Sequence, residues 1–210
     1  EHVIIFRSLD RPNDKLIELL LSATTARQLG AKRVTLVAPY LCYMRQDIAN
    51  QPGEAVSQRI VGQLLADLFD DVITVDPHLH RISTLDEAIP LKTAMALSAA
   101  DEIAVFLKNK LTDAILLGPD EESEQWVAGI ARQTGFEFTI ANKVRNGDKQ
   151  VEITLPNTDF KNRTIVIIDD MASTGRTLAN TTKLLLASGA NEVYAAITHP
   201  LFFDDAEQHL

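Results

Sequence analysis

Apolar residues fall along this chain in short β-branched runs, and the stretches between the runs carry apolar positions at three- and four-residue spacing. The runs predict strands near 3–6, 34–38, 72–75, 114–118, 137–141, 164–168 and 193–198. The intervening stretches predict helices over 14–29, 55–69, 98–109, 123–134 and 176–188, with Asn13 or Asp14 capping the first and Gly30 and Gly189 ending the first and last. Strands alternating with amphipathic helices predict an α/β fold of mostly parallel sheets flanked by helices. The peptides Leu-Gly-Ala-Lys-Arg-Val at 29–34 and Ser-Gly-Ala-Asn-Glu-Val at 188–193 each follow a helix and lead into a strand, an echo that two related halves would leave. The boundary is expected near 80–95, giving halves of 1–85 and 86–210, around Ser83, Thr84 and Pro90. Residues 143–160 are polar, contain Asn146-Gly147 and Pro156, and read as a hairpin or flap.

A chain of 210 residues with 46% hydrophobic content can bury one large or two small cores. A net charge of −9 argues against a nucleic-acid surface, which would show as a basic stripe. No apolar run reaches the ~20 residues that span a bilayer, and no signal-peptide pattern opens the chain. Cys42 stands alone, so no intramolecular disulfide framework exists, as suits a reducing cytoplasm. A cytoplasmic enzyme without nucleic-acid or membrane partners is the expectation.

Residues 165–178, Ile-Val-Ile-Ile-Asp-Asp-Met-Ala-Ser-Thr-Gly-Arg-Thr-Leu, carry the most chemistry. A run that is apolar throughout suits a parallel strand covered on both faces. Asp169 and Asp170 are then expected to emerge at its carboxyl end, where open α/β sheets bind ligands. Ser173, Thr174, Gly175, Arg176 and Thr177 form a turn into a helix, whose N–H groups and hydroxyls can surround a phosphate. Carboxylates followed by a phosphate loop match the two ends of a ribose 5-phosphate: vicinal hydroxyls and phosphate. No Walker-type lysine is present.

This segment resembles the phosphoribosyl-diphosphate motif of type I phosphoribosyltransferases and ribose-phosphate diphosphokinases. Further stretches resemble the diphosphokinases in family order: 11–20 (Arg-Pro-Asn-Asp-Lys-Leu-Ile-Glu-Leu-Leu), 39–47 (Pro-Tyr-Leu-Cys-Tyr-Met-Arg-Gln-Asp), 52–57 (Pro-Gly-Glu-Ala-Val-Ser) and 74–78 (Thr-Val-Asp-Pro-His). The likeness is closer to the archaeal type and is patchy between about 79 and 115. It implies two phosphoribosyltransferase-like halves, nucleotide binding and oligomerisation in the first and ribose 5-phosphate binding in the second. It also implies Mg²⁺-dependent transfer of diphosphate from ATP to ribose 5-phosphate, in a homo-oligomer. By the same resemblance Arg45 and Gln46 bind ATP, His78 and Asp120 hold the nucleotide's Mg²⁺, and Lys143 and Arg145 are the catalytic cations at the base of a flap.

Set against the family, the chain starts at the third or fourth element and stops after His199-Pro-Leu-Phe-Phe, short of the final segment. Glu122 and Ser123 replace paired glycines, Arg176 replaces a second loop glycine, and Ile48 and Ala49 replace basic residues. Two other classes therefore stay open: a phosphoribosyltransferase that consumes phosphoribosyl diphosphate, and a non-catalytic regulatory paralogue.

Overall fold

The computed structural model describes residues 1–49, 51–79, 81–146, 150–203 and 206, with the backbone alone for 143–146 and 150–152. The chain divides into two compact units, Glu1–Ser98 and Ala99–Leu210. Among the described residues no helix is long and apolar enough to cross a membrane.

The first unit runs β1 (His2–Phe6), α1 (Pro12–Gln28), β2 (Arg33–Ala38), α2 (Ser57–Leu68), β3 (Asp71–Val75), α3 (Leu85–Ala88) and β4 (Thr93–Leu97). All pairings are parallel in the order β1-β2-β3-β4. Leu36, Leu65, Val72, Leu85 and Ile89 are fully or almost fully buried in its core. Each such side chain contributes roughly 1.5–3 kcal/mol by leaving water. Gly62 lets α2 approach the α3 segment backbone to backbone, since a Cβ there would lie 1.8 Å from the Ala88 carbonyl oxygen. At the N-terminal ends of the strands Asp71 is buried beneath Arg33, whose Nε and Nη2 donate to its two oxygens at 2.6 and 2.7 Å, and Thr35 adds an O–H donor at 2.7 Å. Those donors, Arg33 foremost, hold the Asp71 carboxyl far below the usual range.

Helix α1 corrects one expectation. Neither Asn13 nor Asp14 caps it: Arg11 occupies the N-cap at φ 50° without a side-chain cap, and Pro12 takes the first helical position. Proline's fixed φ suits that position, and its missing N–H would have had no partner there. Asn13 instead accepts a hydrogen bond from Tyr43 Oη at 2.7 Å. Two elements were unforeseen. The α3 turn carries a Thr84–Glu87 capping box, a signal present in the sequence. Strand β4 is a five-residue edge whose Met95 and Leu97 are exposed, so it lacks a strong buried pattern.

The second unit runs α4 (Ala100–Lys110), β5 (Ile115–Gly118), a 3₁₀ turn (Glu121–Ser123), α5 (Glu124–Thr134), β6 (Glu137–Ile140), β7 (Asn142–Asn146), β8 (Gln150–Thr154), β9 (Thr164–Ala172), α6 (Arg176–Ala187) and β10 (Glu192–Pro200). The main sheet is parallel in the order β10-β9-β5-β6. The apolar run on β9 is covered on both faces: Ile165 and Ile167 join Leu178 and Leu185 of α6, while Val166 and Ile168 join Ala104, Leu107, Val127 and Ile130 of α4 and α5. Strands β7 and β8 form the expected antiparallel hairpin, with Gly147 of its turn outside the described residues.

Strand β5 continues through α5 to β6 on one side, and β9 continues through α6 to β10 on the other. The winding reverses between β5 and β9, so their carboxyl ends define the topological switch point where open α/β sheets bind ligands.

Candidate functional site

Both acidic residues of the 165–178 segment lie at that switch point, though not beyond the strand as expected. Strand β9 runs on through Asp169 and Asp170 to Ala172 because β10 continues to pair it, Ile197 with Asp169, His199 with Met171 and Pro200 with Ala172. On the other side β5 stops: its last partners are Leu117 and Ile167, and it ends at Gly118. From Asp169 onward that edge of β9 lies past the end of β5. Asp170 is buried and Asp169 half-buried, with Asp169 Oδ1 accepting from the Asp170 N–H at 3.0 Å. Burial, then the neighbouring charge of Asp170, then that of Asp120, push the Asp169 carboxyl up to about 8. A site that raises a carboxyl this way favours binding of hydrogen-bond donors or positive charge.

Asp120 reaches this cluster from the turn after β5. The turn is held by Ser123, fully buried, whose Oγ and N–H both donate to the Asp120 carbonyl oxygen, at 2.5 and 3.2 Å. Gly118 makes room for it, since a Cβ there would lie 2.3 Å from Ser123 Oγ. Ser123 thus closes the turn beneath Asp120. Glu121 is exposed and Glu122 half-buried beside it, adding negative charge.

After β9, Ser173 and Thr174 are half-buried and Gly175 is the N-cap of α6 at φ 70°, a left-handed conformation that favours glycine. No side chain caps α6, and its first turn carries no acidic residue. Its leading N–H groups and positive dipole end therefore suit an anion. The chain after β10 braces the loop: the N–H groups of Leu201 and Phe203 donate to the carbonyls of Ala172 and Ser173 at 3.0 and 2.8 Å. Arg176 is exposed and Thr177 half-buried in the first turn. Asp120, Asp169, Asp170 and residues 173–177 are thus brought to one end of the second sheet.

In the first unit Arg45 and Gln46 lie in the loop after β2, and His78 in the loop after the neighbouring β3, so all three stand at the carboxyl end of that sheet. Arg45 is exposed, while Gln46 and His78 are half-buried. The loop turns through Tyr43 at φ 62°, a strain on the order of 1 kcal/mol. From the start of α2, the Gln58 side chain donates to the Met44 carbonyl at 2.9 Å and its N–H to that of Gln46 at 3.2 Å. Cys42, buried beside this loop, has its thiol pushed up to about 12 by burial.

Lys143 and Arg145 occupy alternate register positions on β7, opposite Ile153 and Val151, and their side chains lie outside what is described. Among the described residues no group of three or more His, Cys, Asp or Glu is arranged to hold a metal ion. Sequence reading missed one pair at the first site, Asp47 with Arg81, joined across 34 positions by Arg81 Nη1 donating to Asp47 Oδ1 at 2.6 Å. No local spacing marks two charges so far apart in sequence.

A family model for the N-terminal domain of ribose phosphate pyrophosphokinase matches residues 1–68, and one for the phosphoribosyl transferase domain matches residues 91–208. The ribose-phosphate pyrophosphokinase of Methanopyrus kandleri is 34% identical over 212 residues, covering 99% of this chain and 71% of that protein. That of Pyrococcus furiosus is 33% identical over 211 residues, covering 100% of this chain and 74% of that protein. Among solved structures, phosphoribosylpyrophosphate synthetase from Mycobacterium smegmatis shares the fold at a TM-score of 0.83 and 24% identity, over 98% of this chain and 67% of that one.

Proposed function

This chain belongs to the ribose-phosphate pyrophosphokinase family, and we propose that it transfers the β,γ-diphosphoryl group of ATP to the anomeric hydroxyl of ribose 5-phosphate, giving phosphoribosyl diphosphate and AMP. The observation that carries this reading is the convergence of Asp169, Asp170 and the 173–177 loop at the switch point of the second sheet. Asp169 and Asp170 accept hydrogen bonds from the vicinal ribose hydroxyls, which relieves their mutual repulsion. Ser173, Thr174, Gly175, Arg176 and Thr177, with the uncapped start of α6, take the 5-phosphate. The anomeric hydroxyl is thereby held where its oxygen can attack the β-phosphorus of ATP, the bond to the α-phosphate breaking as AMP leaves.

We assign nucleotide binding and subunit association to residues 1–85 and sugar-phosphate binding to 86–210. Arg45 offers a fork of donors to the nucleotide's phosphates, and Gln46 meets its base or ribose. Lys143 and Arg145, on the β7 arm of the β7–β8 hairpin, bring positive charge to the transferring group when the flap closes and water is excluded. Mg²⁺ neutralises phosphate oxygens when bound. Asp120 would supply the hard oxygen that this ion prefers. The family resemblance implies roles for Asp120 and His78 toward this ion, each at the carboxyl end of its own sheet. A cytoplasmic location is supported by the lone, buried thiol of Cys42, and a homo-oligomer is what the family resemblance implies.

The test is AMP formation from ATP and Mg²⁺ that requires ribose 5-phosphate. One observation favours a second reading. By the resemblance, Glu122 and Ser123 replace paired glycines, and Glu122 adds negative charge beside the turn that carries Asp120. A regulatory paralogue would bind ribose 5-phosphate by calorimetry and form no AMP.

A further inference from the structure

The loops that leave the carboxyl ends of β2 and β3 are joined by an ion pair of unequal ends. Asp47 is inside, its side chain 4% exposed, while the guanidinium side chain of Arg81 is 49% exposed. Arg81 Nη1 donates to Asp47 Oδ1 at 2.6 Å, and Asp47 Oδ2 is buried with no hydrogen-bond partner among the described residues. A carboxylate kept inside with one oxygen unsatisfied is a poor device for stability, and such groups tend to be retained for what they position.

What it positions is visible in the exposure pattern of the loop. Met44 is 2% exposed and packs into the core of the first unit, and Asp47 is buried in turn. Between these two inward anchors Arg45 is carried out to solvent and Gln46 is half-buried. The Met44 side is secured by Gln58, whose Nε2 donates to the Met44 carbonyl at 2.9 Å. The Asp47 side is secured by Arg81. Without Arg81 the carboxylate would be a buried, uncompensated charge, and its cheapest escape is rotation into water, which moves residues 45–46 with it.

We propose that Arg81 is a positioning residue for the nucleotide: by pairing with Asp47 it keeps the Arg45-Gln46 backbone preformed for binding. The proposal rests on the reading of Arg45 and Gln46 as nucleotide-binding residues. Leaving Asp47 buried and unpaired would be costly, and because the loop can relieve that cost by turning the carboxylate into water, the loss is expressed in the loop while the rest of the fold stays intact. If the competent loop population falls to about a tenth, apparent nucleotide affinity falls about tenfold.

Arg81→Met, Arg81→Lys and Asp47→Asn should be compared with the parent in steady-state AMP formation, in calorimetric titration with Mg²⁺-ATP and in thermal melting. Arg81→Met is expected to raise the KM and Kd for ATP about tenfold, with the KM for ribose 5-phosphate within about twofold of the parent and an unchanged melting temperature. Arg81→Lys, which keeps the charge, should recover most of the loss. Should Arg81→Met fail to fold, Asp47→Asn, which removes the charge pair at nearly the parent's shape, carries the test with the same expected rise in the KM and Kd for ATP. If the parent binds Mg²⁺-ATP and all folded variants bind it equally well, the positioning role is wrong while the nucleotide reading stands. If the parent itself binds no Mg²⁺-ATP, the nucleotide reading fails and takes this proposal with it.

Discussion

Asp169→Asn removes one of three carboxylates, with Asp120 and Asp170, that crowd the end of β9. The folded Asp169 carboxyl is raised from an ordinary 3.8 to about 8, first by burial and then by its two neighbours. Between about pH 4 and pH 8 the unfolded chain has released that proton and the folded chain still holds it. The native state binds more protons across this window, so stability falls as pH rises through it. Below about pH 4 the group is neutral in both states and costs nothing; above about pH 8 its full cost is present. A shift of about four units corresponds to roughly 6 kcal/mol at 1.36 kcal/mol per unit. Asp169 titrates together with its carboxylate neighbours, so only part of this belongs to Asp169 alone, about 1–3 kcal/mol. Asp169→Asn should therefore stabilise the unliganded protein by about that much near pH 8, with the gain shrinking towards zero near pH 4. Urea unfolding of parent and variant across this pH range measures it. A difference that is flat with pH, or a variant less stable than the parent at pH 8, would refute the argument. The same substitution should weaken ribose 5-phosphate binding, so the acidic cluster trades stability for a ligand.

Further outcomes test the other parts of the site. Asp170→Asn with Thr174→Ala should weaken ribose 5-phosphate binding by roughly 1–3 kcal/mol per group removed, read by calorimetry; undiminished binding would remove the 165–178 segment from the sugar site. Lys143→Ala and Arg145→Ala should each lower turnover about 100- to 1000-fold with little change in either Michaelis constant, and a loss below about threefold would make them ordinary surface cations. His78→Ala and Asp120→Ala should raise the Mg²⁺ concentration needed to bind ATP and spare ribose 5-phosphate binding; equal loss of both ligands would instead indicate misfolding.

The parts of this fold that were legible in the sequence are those enforced by local chemistry. The run 165–168 had to be covered on both faces, and its alternate residues do enter two separate cores. Gly189 at φ 90° and Gly175 at φ 70° sit where helices stop and start. What eluded sequence reading depends on partners distant along the chain. Strand β9 extends through the two aspartates only because β10 is equally long, and no property of residues 169–172 announces that. The start of α1 depended on weighing Pro12 against Asn13, two competing local signals. The Arg81–Asp47 pair exists only because β2 and β3 are neighbours. For the candidate site, the motif pointed to the residues, whereas the crowding of Asp120 against Asp169 came from the sheet order.

The central claim is that a diphosphoryl group passes from ATP to ribose 5-phosphate. Phosphorus NMR of the protein with ATP, Mg²⁺ and ribose 5-phosphate tests it most directly, because attack at the β-phosphorus sends the β- and γ-phosphates together to the sugar and leaves the α-phosphate as AMP. The expected spectrum shows AMP and a sugar-linked diphosphate growing in equal amounts, only when ribose 5-phosphate is present. ADP with a sugar carrying two separate monophosphates, or no change beyond that seen without the sugar phosphate, would contradict the account.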